Sequence, residues 1–172
     1  MALQLSVEAK TMTLQLSLEV KTMTLQLTSP TFEACGFIPA KYTGEGQDVS
    51  PSLSWTYAPP ETQEFALVCE DPDAPAPEPW VHWVAYHIPP STVELPEDAH
   101  ENLVQGQNDF GEVGYGGPLP PEGQGVHHYY FHLYALDQPV KAGPGLTKVH
   151  LMDLIQGHVL AEGELIGLYE RK

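Results

Sequence analysis

Residues 64–90 read EFALVCEDPDAPAPEPWVHWVAYHIPP, and this stretch decides the predicted fold. The segments at 64–70 and 80–88 are rich in aromatic and β-branched residues and end at turn formers, which is typical of β-strands. The prolines between them stiffen the connection, and Asp71 and Asp73 follow the first strand directly. The stretch therefore predicts two strands joined by a rigid loop that carries two carboxylates.

The remainder of the chain continues this pattern of short strands and Gly/Pro-rich loops. The segment HHYYFHLYAL (127–136) follows the loop GYGGPLPPEGQG (114–125), and LIGLYER (165–171) predicts a last strand. One helix is predicted over 148–162, capped by Thr147 and stopped by Gly163. Many strands and few helices indicate a mainly β protein, an antiparallel β-sandwich with one or two peripheral helices.

The N-terminus repeats itself every eleven residues. LQLSVEAKTMT begins at Leu3, LQLSLEVKTMT at Leu14 and LQLT at Leu25. The alternation of apolar and polar residues is that of an amphipathic strand. We expect 1–22 to be a repeated, strand-like extension of a domain that spans 23–172. The extra copies would pair as a hairpin, or stay loose and offer an adhesive edge for assembly. Separately, a homodimer of the domain would be unsurprising, and the sequence leaves the start open between Met1, Met12 and Met23.

Composition excludes several classes of partner. The chain has 7 Lys and Arg against 23 Asp and Glu, a formal net charge of −16. This acidity repels nucleic acid and anionic lipid, so neither is expected as a general partner. We find no apolar run long enough for membrane insertion and no secretory signal pattern. With Cys35 and Cys69 as the only cysteines, a reduced, cytoplasmic protein is expected.

Two groups of residues are candidates for chemistry, and each has a structural alternative. Asp71 and Asp73 are either functional carboxylates or caps of turn amides. Strand alternation places Trp80, His82 and Val84 on one face, with Val81, Trp83 and Ala85 on the other. A histidine there is either structural or, if a carboxylate fixes its tautomer, part of a site.

A further group of candidate residues, with two adjacent histidines, follows the loop at 114–125. Its glycines would let backbone N–H groups approach a phosphate or carboxylate, next to His127, His128 and Tyr129. The alternative is a long hairpin loop with histidines at its exit.

These segments resemble phosphatidylethanolamine-binding proteins, also called Raf kinase inhibitor proteins, and most closely their bacterial and archaeal branch. The likeness runs from about Thr24 to Arg171, and it rests on the following motifs in this order: SPTF, IPAKYTGEGQDVSPSLSW, EDPDAP, PWVHWVAYHIP, GQNDFGEVGYGGP, PPEG, HHYYFHLYALD and GHVLAEGELIGLYER. Where the family usually has HRY, this chain has HHY, so His128 replaces a permanent cation.

The resemblance implies a sandwich with a small anion pocket at one end. Carried over, its residues are Asp71, Asp73, His82 and His127, with Pro120, Pro121 and Tyr129 in the wall and Tyr115 at the rim. The implied function is that of a non-catalytic binding or regulatory protein for a phosphate- or carboxylate-bearing ligand, a phospholipid headgroup or a phosphorylated partner. A kinase is the protein partner that the family name suggests, and no cofactor is expected.

The hypothesis for the pocket is that its aspartates orient His82 and His127, whose rings donate to the anion. Because like charges disfavour joint ionisation, the arrangement requires a protonated histidine, a phosphate proton accepted by Asp71, or an ammonium group near the carboxylate. Each option predicts binding that depends on pH near neutrality. The alternative function is a metal-dependent hydrolase or lyase built on the same residues, although the chain contains no HExxH or nucleophile motif.

Overall fold

The computed structural model describes residues 24–172. Its elements in chain order are β1 (Gln26–Thr28), β2 (Gly36–Phe37), a 3₁₀ turn (Ala40–Tyr42), β3 (Leu53–Thr56), β4 (Glu64–Asp71), β5 (Trp80–Ile88), β6 (Glu94–Leu95), β7 (Val104–Gln105), β8 (His127–Leu136), α1 (Lys148–Ile155) and β9 (Val159–Tyr169). The three strands predicted from 64–70, 80–88 and 127–136 are confirmed. None of the helices within 24–172 has the length and apolar character that a membrane crossing requires.

Two sheets pack face to face. The smaller has the order β1-β3-β6, and the larger has the order β2-β9-β8-β4-β5-β7. Neighbouring strands are antiparallel, except that β2 pairs with β9 in parallel. The longest strands form the middle of the larger sheet, where β4 lies between β5 and β8.

The main hydrophobic core fills the space between the sheets. Trp55 of the smaller sheet meets Phe65 of the larger at 5.3 Å between ring centres, edge to face. Both rings are almost fully buried, and such aromatic pairs add to the gain from burial alone. The predicted β-sandwich is confirmed.

A second hydrophobic cluster lies on the outer face of the larger sheet, under α1. Leu151 and Ile155 of the helix pack there with Val84 and Tyr86. As predicted, Thr147 caps the helix, its side chain accepting a hydrogen bond from the backbone N–H of His150. The sandwich therefore carries its described helix at the periphery.

The predicted end of the helix is wrong. The helix ends at Ile155 rather than at 162, and Gly157 follows with a φ of 80°. The segment from Val159 onward joins β9, where its backbone pairs along the whole of β8. Gly163, predicted as the stop, lies inside that strand opposite Leu133. Pairing with β8 thus outweighs the local helical pattern.

The third copy of the N-terminal repeat forms β1. Leu25 and Leu27 are buried while Gln26 and Thr28 are exposed, which confirms the period of two for this copy. β1 lies at the edge of the smaller sheet. The first two copies, and with them the extension predicted for 1–22, lie outside the described residues.

Candidate functional site

Adjacent strands bring the three predicted segments together at one end of the larger sheet. Asp71 ends β4, His82 is near the start of β5, and His127 begins β8. These side chains share a cavity of ≈ 210 Å³, whose lining residues are Asp71, Ala74, Pro75, Ala76, Trp80, His82, Phe110, Leu119, Pro120, Pro121, His127 and Tyr129. Of the eight residues predicted for the pocket, six line the cavity, while Asp73 and Tyr115 do not.

A β-bulge places His82 in the cavity. Cys69 of β4 faces Trp83, but Glu70 faces Val81, so His82 is an extra residue in the ladder. Such a residue bends the strand and redirects side chains. As a result the ring of His82 packs against Tyr129 at 5.1 Å between centres.

The bulge also corrects the predicted alternation of β5. Val81 and Val84 both lie in the outer cluster under α1, whereas Trp83 lies in the core between the sheets. Val84 is therefore not on the face of His82. The predicted pairing of Trp80 with His82 does hold, because both side chains line the cavity.

A backbone carbonyl, rather than an aspartate, orients His82. Nδ1 lies 2.6 Å from the carbonyl oxygen of Gly116, and Gly116 N–H donates in return to the carbonyl of His82 at 2.9 Å. Since a carbonyl only accepts, Nδ1 carries the hydrogen. Burial lowers the pKa of His82, against opposing contributions from the Gly116 carbonyl and Asp71. The ring is thus neutral at pH 7, with a lone pair on Nε2.

Asp71 orients His127 instead. His127 Nδ1 donates to Asp71 Oδ2 over 2.7 Å, and both side chains are almost fully buried. The other carboxylate oxygen, Oδ1, accepts from the backbone N–H of Asp73 at 2.8 Å. Asp71 therefore caps the turn and also fixes the tautomer of His127, while its role in ligand binding stays a prediction.

Asp73 does not line the cavity, and its side chain bonds to His128. Its Oδ2 accepts from the backbone N–H of His128 at 2.8 Å and from Nδ1 of the same residue at 2.7 Å. Burial raises the pKa of Asp73, but the hydrogen bonds from His128 outweigh it and the pKa is lowered. This half-exposed pair connects the 71–79 loop to β8. The side chain of His128, which replaces the family's arginine, is therefore already bonded to Asp73.

Two polar atoms of the cavity residues lack a hydrogen-bond partner in the part of the chain that the structure describes. Tyr129 Oη and Trp80 Nε1 are buried, and neither makes a hydrogen bond within the described part of the chain. Burial, followed by the charge of Asp71, raises the pKa of Tyr129 well above its usual range, so its hydroxyl keeps its hydrogen. A buried donor without an acceptor costs about 1–3 kcal/mol. Both residues line the cavity, so these two donors are candidates for hydrogen bonds to a bound group.

The wall of the cavity is apolar. Pro120 and Pro121 line it as predicted. Tyr115 is held elsewhere, donating its hydroxyl hydrogen to the carbonyl of Tyr42 at 2.7 Å. Phe110 was missed by the sequence analysis, although it packs edge to face on both His82 and Trp80, at 5.3 and 5.6 Å.

Two residues could have been chosen from the sequence. Trp80 shares the predicted face of His82, and Phe110 is an isolated apolar residue in a polar stretch of the sequence. In the structure, Phe110 is 44% exposed. Leu119, which also lines the cavity, carries no such signal, because it stands inside a proline-rich loop.

Residues 28–170 match the family model described as Phosphatidylethanolamine-binding protein. The chain belongs to this family. A UPF0098 protein of Methanothermobacter thermautotrophicus is 46% identical over 146 residues, which are 81% of this chain and 95% of the relative.

Two solved structures of the phosphatidylethanolamine-binding type share the fold. A putative homologue from Chlamydia trachomatis, CT736, has a TM-score of 0.82 at 40% identity, covering 87% of this chain and 99% of its own. YbcL of E. coli has a TM-score of 0.81 at 33% identity, covering 86% and 99%. Membership makes this chain a binding protein of the phosphatidylethanolamine-binding type.

The lining of the cavity contains one carboxylate and no permanent cation. Among residues 24–172, no Lys or Arg lines the cavity, and Asp71 is the only carboxylate that does. Arg171, which follows β9, pairs with Glu45 and Glu122 instead. Within 24–172, no group of three His, Cys, Asp or Glu has the geometry to hold a metal ion.

Proposed function

We propose that the protein is a non-catalytic binding protein, whose cavity binds a small ligand that bears a phosphate or carboxylate group. The observation that carries this proposal is the pair of unpartnered donors, Tyr129 Oη and Trp80 Nε1, beside two histidines whose Nδ1 atoms are already engaged. A bound oxyanion would supply the acceptors that these donors lack. The same group can come from a free metabolite, a phospholipid headgroup or a phosphorylated side chain.

The size of the cavity supports a ligand larger than the acid group. An apolar cavity of about 150 Å³ holds one benzene, and this cavity measures ≈ 210 Å³. Phe110, Leu119 and the prolines would contact an apolar part of the ligand, while His82 and Tyr129 receive its acid group. Phenyl phosphate and benzoate are therefore suitable probes.

Isothermal titration calorimetry of the full chain tests the proposal. Phenyl phosphate should bind, and His82→Ala should weaken its binding about tenfold or more, the cost of one charge-assisted hydrogen bond. His100→Ala is the matched control, because His100 is exposed and does not line the cavity. If neither phenyl phosphate nor benzoate binds, or if both variants behave alike, the proposal is wrong.

A hydrolase is the second candidate, favoured by the Asp71–His127 hydrogen bond. A carboxylate that fixes an imidazole raises its basicity, and Nε2 would then be placed to activate water. Incubation with phenyl phosphate and detection of phenol decides between the two functions. We expect no turnover; turnover that is lost in His127→Ala would establish the enzyme instead.

A further inference from the structure

We infer that residues 14–23, from the second copy of the N-terminal repeat, dock in a groove on the domain that follows them. The groove is lined by Thr24 and Leu25 before β1, by residues 57–60 after β3 and by residues 160–162 of β9. Its volume is ≈ 510 Å³, and none of residues 24–172 lines both this groove and the ligand cavity. The inference therefore concerns a surface that the proposed function does not use.

The groove presents apolar side chains to solvent. Tyr57 is 51% exposed and Leu160 is 40% exposed, although both line the same groove. Pro59 and Pro60 stiffen its wall. Large apolar side chains that lie together, rather than singly, are typical of a surface that another segment covers.

An edge of the smaller sheet begins at this groove, because Leu25 directly precedes β1. β1 pairs with β3, and no other strand within 24–172 pairs with its opposite edge. An unpaired edge offers its backbone N–H and C=O groups to a further strand. The groove and the edge together therefore fit an extended segment with one apolar face.

Residues 14–23 have the pattern that such a segment requires. Thr24, where the described part of the chain begins, itself lines the groove, so these residues reach it without a linker. Alternate side chains of an extended segment lie on one face. In this segment one such face is apolar and consists of Leu14, Leu16, Leu18 and Val20. The third copy already uses the equivalent face, because Leu25 and Leu27 are buried.

Charge favours a segment of the same chain over a second copy of the protein. Residues 1–23 carry two lysines and two glutamates, so the formal net charge of −16 belongs entirely to residues 24–172. Two domains of this charge repel each other, whereas the uncharged segment is not repelled. Attachment at Thr24 also gives the segment a high effective concentration at the groove.

Urea unfolding of the full chain tests the docking. Leu16→Asn together with Leu18→Asn, the apolar-face variant, changes the side that should enter the groove. Gln15→Asn together with Ser17→Asn, the polar-face variant, is the matched control. The apolar-face variant should raise the unfolding equilibrium constant about tenfold or more, because two leucines lose their burial. The polar-face variant should change it by no more than about twofold.

A double-mutant cycle with the groove identifies the contact. Leu160→Asn changes the groove, and Val93→Asn is its control, because Val93 is 63% exposed and does not line the groove. Once Leu160→Asn is present, the effect of the apolar-face variant on the unfolding constant should be smaller by about threefold or more. In the Val93→Asn background its effect should be as large as in the wild type.

Each outcome decides the inference. Effects that simply multiply in the Leu160→Asn background would overturn it, and so would equal effects of the two segment variants. Light scattering tests the occupant: a particle mass that falls in the apolar-face variant would show that the segment joins two copies, and docking on its own chain would be wrong. Phenyl phosphate should bind every variant with wild-type affinity, so the proposed function is judged separately.

Discussion

His127 and Asp71, 56 residues apart in the chain, form a buried hydrogen bond of 2.7 Å between Nδ1 and Oδ2. Antiparallel pairing on both sides of β4 brings them together, because the end of β4 meets the start of β8. Asp71, which stands beside the proline-rich turn, therefore lies in the lining of the cavity. Asp73, two residues further along the chain, instead bonds to His128 and holds the loop against β8.

The two aspartates should differ sharply when each is changed to asparagine. In Asp71→Asn a single side-chain oxygen must serve two donors, His127 Nδ1 and Asp73 N, so one buried group loses its partner. We expect the free energy of unfolding to fall by about 1–3 kcal/mol. Asp73→Asn is the control, and its half-exposed contact should cost about 0–1 kcal/mol. Urea denaturation measures both; equal losses would show that Asp71 is not the structural carboxylate of this turn.

Removing the hydroxyl of Tyr129 should separate stability from binding. Because Oη makes no hydrogen bond to any of residues 24–172, Tyr129→Phe should not lower the free energy of unfolding. Affinity for phenyl phosphate should fall about tenfold or more, since a donor to a charged oxygen is lost.

Tyr115→Phe is the matched control for that experiment. Its hydroxyl donates to the carbonyl of Tyr42, so the substitution should cost about 1 kcal/mol of stability and leave affinity unchanged. A Tyr129→Phe protein that binds normally would contradict the role given to the unpartnered donor.

The buried ring of His82 should make stability depend on pH. Its folded pKa lies below the unfolded value of 6.5, so the unfolded chain binds more protons at mildly acidic pH. This contribution to stability is complete above the unfolded pKa and is lost as the pH falls from there towards the folded pKa. The loss between pH 7.5 and 5.5 in urea unfolding should therefore be smaller in His82→Gln than in the wild type. His100→Gln, at an exposed site, should retain the wild-type difference.

Gly117 should be intolerant of a side chain, because it fixes the loop that presents Gly116 to His82. A Cβ at Gly117 would lie 2.4 Å from the carbonyl oxygen of Tyr42. We expect Gly117→Ala to cost about 1–3 kcal/mol and to disturb the hydrogen bond that fixes the His82 tautomer, which ¹⁵N NMR of the ring reports.

Gly143→Ala is the control for this overpacking, since no atom of residues 24–172 lies within 4 Å of its added Cβ. Its stability should change by no more than about 0.5 kcal/mol. An unchanged His82 ring spectrum in Gly117→Ala would show that the loop adjusts without moving Gly116.

Local pattern was enough to predict the long strands, but not the geometry that depends on pairing. The strand at 80–88 is confirmed at both ends, because its composition and its flanking prolines agree. The bulge at His82 was missed, since it arises from the register of β4 against β5. Strand pairing also explains why the helix was predicted too long. Its apolar stripe continues to Val159, but Val159 is the first residue of β9 and pairs with Leu136 of β8.

At the site, too, the sequence predicted which residues meet but not how they are bonded to one another. Resemblance placed Asp71, His82 and His127 in one pocket, and the structure brings them to one cavity. Which aspartate serves which histidine could not be predicted, because Asp71 and Asp73 point to opposite sides of the loop. Likewise, the carbonyl that orients His82 comes from a residue 34 positions away, and no side-chain pattern marks it.

The buried Glu64 and the partly exposed His87 form a second pair at the other end of β4, and the loss of this pair should destabilise the fold without affecting binding. Glu64 Oε1 accepts from the backbone N–H of His87 at 2.8 Å, while Oε2 accepts from the ring Nδ1 at 3.1 Å and from the Val140 N–H at 3.2 Å. With one oxygen, glutamine cannot serve these donors, so Glu64→Gln should cost about 1–3 kcal/mol.

His87→Asn tests the ring of this pair separately. His87 has a φ of 55°, which asparagine tolerates better than most residues, so the variant removes the ring contacts with little added backbone strain. Glu64→Gln should be the more damaging change, because it also affects two backbone donors. Urea unfolding ranks the two variants, and phenyl phosphate titration should give wild-type affinity for both, since neither residue lines the cavity. Weakened binding in a folded Glu64→Gln protein would mean that the two ends of β4 are coupled.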